Sequence, residues 1–219
     1  MVISRSRTVA PAFPNLELEG VLIDNVFELR VLGVILDHKL IFESHLRSVA
    51  ASASQKLGIL RKTYKVFSDP ALIIKCFWSF LLPVLEYCSP VWSSAAACHL
   101  QLLDRVVRLA NELCAGHIEC DLEHRRLVAS ICMFYKLRDD CAHPLNSLLP
   151  NRRAPIRVTR LALSNHPWVV DPPQCRTVQF SRTFVPRFSE LWNSLDASIF
   201  AGMKLDSFKS GVNRLLLNE

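Results

Sequence analysis

The chain has 219 residues, half of them apolar, and a formal net charge of +6. That is enough apolar mass to bury a core and excludes a disordered tail, and the length suits one large domain or two small ones. The charge excess is local: residues 151–187 hold Arg152, Arg153, Arg157, Arg160, Arg176, Arg182 and Arg187 against Asp171 alone, so seven minus one accounts for the whole +6. Arginine suits bidentate phosphate-type recognition; a basic surface loop kept soluble by its charge is the competing reading. The eight cysteines follow no regular framework, and the N-terminus reads SRSRTVAP instead of an apolar run. We therefore expect reduced, buried thiols in an intracellular protein, nuclear or cytoplasmic.

From residue 16, LELEGVLI alternates and reads as a strand, Asp24-Asn25 is a turn signal, and VFELRVLGVILD follows as a second strand-like run. The pattern predicts a small N-terminal antiparallel β-hairpin whose second arm, continuously apolar from Val31 to Leu36, is covered on both faces. After Asp37 the period changes. Leu46, Val49, Ala50, Ala53, Leu57 and Leu60 recur at helical spacing, with Arg47, Ser48, Ser52, Gln55 and Lys56 opposite, and the helix runs into RKTYK at 61–65.

Ser68-Asp69-Pro70 is a helix start, with Asp69 as cap and Pro70 in the first turn. The helix that follows is apolar almost all round and should be central to the core, and Pro83 should kink or end it. Lys75, Pro83, Glu86 and Pro90 interrupt the apolar run 71–92, which falls short of the roughly 18 residues a membrane span needs. CHLQLLDRVVRLANELC places Leu102, Leu103, Val106, Val107, Ala110 and Leu113 on one stripe, and LEHRRLVASICMFYKLRDD (122–140) is a fourth helix. Beyond the proline-dotted segment 150–187, which reads as a linker, short helices fall around FSELWNSL (188–195) and LDSFKSGVNRLLL (205–217). The fold class is mainly α with a small N-terminal β-hairpin: a helical bundle plus a C-terminal helical and irregular region.

Few residues promise chemistry. Asp139-Asp140 is the sole adjacent acidic pair, but it closes a helix, whereas paired carboxylates for two divalent ions belong on a tight turn between strands. Cys114, His117, Cys120 and His124 give C-x2-H-x2-C-x3-H, which invites zinc. On one continuous helix ten residues span about 15 Å, too far for four ligands around one ion. A break at Gly116 rescues the idea; buried thiols and surface histidines are the alternative. Six unclustered glycines exclude phosphate-loop and dinucleotide fingerprints.

Several segments nevertheless resemble one family, in order. VLGVILDHKLIFESHL (31–46) resembles the LGV-x-LD segment and W-x-x-H-I helix start found just downstream of the catalytic core in reverse transcriptases of non-long-terminal-repeat (LINE-type, jockey-like) retrotransposons; Phe42 replaces the tryptophan and His45 matches. KLGILRK (56–62), LLPVLEYCSPVW (81–92), LLDRVVRLA (102–110), LEHRRLVASICMFYKL (122–137), the R-x-x-R of Arg157 and Arg160, and FVPRFSELWNSLDASIFAGMKLDSFKSGV (184–212) look like the same family.

The resemblance implies a palm-edge hairpin over 1–40, a helical thumb-like domain over 41–120 and a C-terminal helical region over 121–219 with the arginine-rich segment 150–187. The family's catalytic aspartates lie upstream of the LGV segment, and no position here matches them. The expectation is therefore a truncated RNA-directed DNA polymerase with no catalytic residue and no cofactor of its own, Mg²⁺ belonging to the catalytic palm. An exapted protein-interaction module and a decayed element fragment are the alternatives. A thumb grips the primer–template duplex through its backbone, which asks for cations on helical faces. Arg47, Lys56, Arg61, Lys62 and Lys65 fit, with Tyr64 to stack; Arg105, Arg108, Arg125 and Arg126 come second, and Arg152, Arg153, Arg157 and Arg160 suit RNA or target DNA. The expected partners are RNA and DNA, with no membrane and no small-molecule substrate, and self-association through exposed apolar surface.

Overall fold

A computed structural model describes residues 1, 3, 16–140, 142–153, 168–200 and 204–217. These residues are mainly helical with two small antiparallel strand pairs at the N-terminal end. They divide into two compact units. The first holds Met1–Cys88 and Ala95–Cys120; the second takes Ser89–Ser94 together with the chain from Asp121 onward.

The single predicted hairpin is two hairpins. β1 (Glu17–Leu18) pairs with β2 (Val21–Leu22), and β3 (Glu28–Val31) with β4 (Val34–Asp37). The turn residues are Glu19-Gly20 and Leu32-Gly33, all four with positive φ. That is the pattern of a two-residue type I′ turn, which wants Gly at its second position. An apolar residue in the first position disguised the second turn as strand. Coverage on both faces also fails: Val31 and Leu32 are exposed, Leu32 by 84%, and only Val34 in this stretch is fully buried. The Tyr87 hydroxyl donates to the Leu32 carbonyl at 2.9 Å, tying the β3–β4 turn to the helices.

Helix α1 (Glu43–Phe67) buries His45, Leu46, Ala53, Leu57 and Leu60. Asp69 accepts from the Ala71 N–H at 2.9 Å and starts α2 (Pro70–Cys76) as its sequence predicts. Pro83 does not end the helix. A five-residue π segment, Phe77–Leu81, leads into α3 (Leu82–Glu86) with the proline in its first turn. The wider π turn accommodates a residue that cannot donate to the preceding turn. This stretch is one-sided instead of buried all round: Ile73, Phe77, Leu81, Leu82 and Leu85 are in the core, while Phe80 is 64% exposed. α5 (Ala97–Leu113) adds Leu103, Val106, Val107 and Ala110 to the same core, and packs chiefly on α1. Each fully buried side chain of this kind contributes about 1.5–3 kcal/mol.

The second unit is built on aromatics. α4 (Ser89–Trp92) supplies fully buried Trp92, and α6 (Leu122–Asp139) supplies Val128, Ile131, Phe134 and Leu137. After the short α7 (Val178–Ser181), α8 (Phe184–Ser194) adds Phe188 and Trp192, and α9 (Leu205–Leu217) adds Phe208 and Val212. Trp192 lies 5.2 Å from Phe134 and 4.8 Å from Phe200, the latter edge-on, while Tyr135 stacks on Phe208 at 4.4 Å.

The linker reading does not hold for the described part of 150–187. Arg152 and Val170 form an antiparallel bridge, the Arg153 N–H donates to the Val169 carbonyl at 2.9 Å, and Asp171 donates to Asn151 at 3.1 Å. Asn193 clamps the far side, accepting from the Val170 N–H and donating to its carbonyl, both at 2.9 Å. Trp192 Nε1 donates to the Trp168 carbonyl at 2.8 Å. Adjacent residues Trp192 and Asn193 thus fix 168–170 against the core.

Candidate nucleic-acid interface

The boundary between β4 and α1 positions the first cationic helix. Asp37 closes it: one carboxylate oxygen accepts from the Phe42 N–H at 2.7 Å and Ile41 at 2.8 Å, and the other from Lys39 at 2.9 Å. The loop needs this anchor because Leu40 and Phe42 both take positive φ, which costs a bulky residue energy. Burial pushes the Asp37 carboxyl up, but the N–H groups of Phe42, Ile41 and Lys39 outweigh it and hold the pKa below the ordinary value. Phe42 and His45 are both buried, and the His45 Nδ1 accepts from the Ile35 N–H of β4 at 3.4 Å. Burial, followed by the charge of Arg30, pulls the His45 pKa down and favours the neutral ring.

With α1 fixed in this way, its cations can be placed by helical geometry. At about 100° per residue, Arg47, Arg61, Lys62 and Lys65 fall within one stripe of about 100°, opposite the buried side. All four are exposed, and so are Ala51, Ser54 and Gly58 between them. The floor of the stripe is therefore small and smooth, with one cation at the N-terminal end and three about 25 Å further on. Glu43 shares the stripe and pairs with Arg47 at 2.8 Å, an exposed contact of little energetic weight. Lys56 and Tyr64 are half-buried on the core side of α1 and do not join it.

The other candidates separate. Arg105 and Arg108 are exposed on the outer face of α5, but Asp104 and Glu112 share that face, and Arg108 lies 3.9 Å from Glu112. In the second unit Arg125 is half-buried and Arg126 is 6% exposed, its guanidinium 6.0 Å over the Trp92 ring; burial takes it out of the surface set. Arg153 pairs with Asp171 at 2.6 Å, and Arg152 stacks over Trp168 at 3.6 Å. Arg157 and Arg160 lie outside the described residues. Arg187, counted in the charge excess, is half-buried beside Phe188. The excess of arginine is thus spent in part on packing, a use composition does not reveal.

No metal centre emerges among the described residues: no three His, Cys, Asp or Glu side chains converge. The chain does break after α5, with Ala115 and Gly116 at positive φ. Yet His117 Nδ1 contacts the Ala115 carbonyl at 3.1 Å, and His124 Nε2 contacts Asn213 at 2.6 Å. Asp139 and Asp140 sit at the end of α6, where the Asp140 carboxylate accepts from the Ala142 N–H at 3.1 Å. They do not form a divalent-ion turn. Cys76, Cys88, Cys98, Cys114, Cys132 and Cys175 are free thiols, but only Cys114 is buried, and Cys141 lies outside the described residues. No described helix is long and apolar enough to cross a membrane.

Over 130 residues, 55% of its length, the chain is 26% identical to a Drosophila melanogaster protein described as "Probable RNA-directed DNA polymerase from transposon BS". The aligned part spans 14% of that protein. This similarity supports a reverse-transcriptase-like region in the chain. No protein-family profile and no solved structure matches it.

Proposed function

We propose that this chain is the thumb-like portion, with the region that follows it, of a transposon-type RNA-directed DNA polymerase, and that it holds a primer–template duplex without itself carrying the polymerisation chemistry. The observation that carries the reading is the exposed stripe of Arg47, Arg61, Lys62 and Lys65 over the small residues Ala51, Ser54 and Gly58. Small side chains let a phosphate backbone approach the helix, and separated cations can neutralise phosphates without reading bases. The likeness to a transposon polymerase over half the chain supports the choice of duplex. The ordered segments quoted above support a LINE-type, jockey-like origin and a place downstream of the catalytic palm. The Asp139-Asp140 pair closes a helix, so no metal-dependent step is assigned to these residues. Its site of action is inside the cell, where template and primer are found.

Titration of a fluorescent primed RNA–DNA duplex between 50 and 200 mM salt tests this. Four phosphate contacts predict a loss of affinity of about 100-fold over that range. A flat salt response, or extension of the primer by the purified chain with Mg²⁺ and nucleotides, overturns the proposal.

One observation favours protein association as a second role. Leu16, Leu18, Val21, Leu22, Phe27 and Leu32 on the N-terminal hairpins are each more than half exposed, a patch of the kind that marks a protein contact. Sedimentation velocity reads this directly: a monomer at all concentrations, with no change on replacing Phe27 and Leu32 by lysine, removes the second role.

A further inference from the structure

The second unit contains a cavity of about 380 Å³, within the range of small-ligand sites, that the reading above leaves unused. Its lining includes Tyr135, Asp139, Asn146, Arg152, Trp168 and Trp192. Half of the lining is aromatic, with Phe200 beside Tyr135, Trp168 and Trp192, and such a wall suits a flat ring. The polar groups then say which ring. The Asn146 Nδ2 donates to the Leu137 carbonyl at 2.7 Å and to Asp140 at 3.4 Å; these acceptors fix the amide's orientation and leave its oxygen as the available end. Asp139, the last residue of α6, is exposed, and its carboxylate is accept-only when ionised. Two cations complete the lining: Arg138, whose guanidinium donates to the Pro150 carbonyl at 2.7 Å, and Arg152, held in place by its stack on Trp168 at 3.6 Å.

A ligand that complements such a wall is planar, offers adjacent N–H donors and carries an anion. Guanine answers this description, because N1–H and the 2-amino group present two parallel donors that a carboxylate accepts together. Adenine places a ring acceptor where guanine has N1–H, and cytosine and uracil each offer a single donor group on that edge. Bases splayed out of a strand are commonly stacked on aromatic rings and arginine planes and read on this edge. We infer that this cavity binds a guanine nucleotide, with Asp139 on the base edge, the aromatic wall and the Arg152 plane against the ring, and the Arg152 charge serving the phosphate. The choice of ligand rests on the nucleic-acid reading above, which it deepens by adding a base-specific contact to a phosphate grip.

The test titrates the full chain by tryptophan fluorescence with GMP, IMP and AMP, then with a single-stranded heptamer carrying one guanine or one inosine. GMP should bind at least about tenfold more tightly than IMP, which lacks the 2-amino group, and than AMP. Asp139→Asn should abolish that margin while unfolding at the wild-type temperature, since the side chain is exposed. Arg152→Ala should weaken GMP more than it weakens guanosine, because only GMP carries the phosphate. A heptamer tighter than GMP assigns the site to a strand; equal affinities assign it to the free nucleotide. Equal binding of the three nucleotides, or none, overturns the inference. Steep salt-dependent duplex binding without guanine preference removes the cavity alone. Guanine preference with flat duplex binding removes the phosphate grip and leaves the cavity standing.

Discussion

The two units make opposite use of the same materials. In the first, the cations of α1 stand outward on a smooth helical face and the apolar side is mainly aliphatic, led by Leu46, Leu57, Leu60, Leu81 and Leu85, with Phe42 and Phe77 among them. In the second, arginines turn onto aromatic rings: Arg126 over Trp92, Arg152 over Trp168, Arg187 beside Phe188. An arginine count alone therefore does not measure the cationic surface a unit presents. Guanidinium groups stack on aromatic faces, so an arginine-rich stretch near tryptophans can be a packing device.

The strongest test of the contrast removes the aromatic centre. Trp192→Ala should destabilise the second unit by about 3–5 kcal/mol, through the lost ring and the lost bond to Trp168. Calorimetry should then show the second unit melting early while the first keeps its transition. In the first unit, Asp37→Ala removes the acceptor for three backbone N–H groups and should cost about 1–2 kcal/mol, read as a lower urea midpoint.

Acid should separate the units as well. Asp37 and His45 both have depressed pKa values in the folded chain. The unfolded chain takes up their protons first, so stability is present above the unfolded values, about 6.5 for histidine and 3.9 for aspartate, and is lost as pH falls below them. Tryptophan fluorescence against pH should show the first unit weakening from near pH 6. At the alkaline end the units behave alike. Burial raises Cys114 in the first unit and Cys132 and Tyr135 in the second, so their contributions are present below the unfolded pKa and fade as pH rises through the folded one.

Smaller effects sharpen the surface reading. Replacing Arg61 or Lys62 by alanine should reduce the salt slope of duplex binding by about one each. Replacing Arg126 should leave the slope unchanged and lower stability instead. Smallest of all, Gly58→Ala meets no atom within 4 Å and should stabilise α1 by about 0.5–1 kcal/mol, with duplex affinity reporting how much room the backbone needs.

The helices were legible in the sequence because their signals are local. The Leu46-to-Leu60 spacing, the Asp69-Pro70 start and the α6 period each act within a few residues. The hairpins were less so, since the type I′ turns rest on glycines whose partners, Glu19 and Leu32, carry no turn signal of their own. The outward cations of α1 could be read from helical spacing, and Lys56 and Tyr64 could have been removed by the same arithmetic. The cavity was hidden because it joins Asp139 to Arg152 and Trp168 through a bridge that no periodicity announces. The adjacent Trp192-Asn193 pair, one donor and one two-way amide, was the available clue.

The Asp37 clamp has a consequence for the history of this reading frame. A carboxylate that satisfies three backbone donors has no ready replacement, because an amide in its place can accept on one end only. Ser48 and Ser52, exposed on α1 beside the cationic stripe, are under no such demand. Among independent genomic copies, a frame kept for its protein should hold aspartate at this codon while those two drift. A frame merely decaying should lose all three at the same pace.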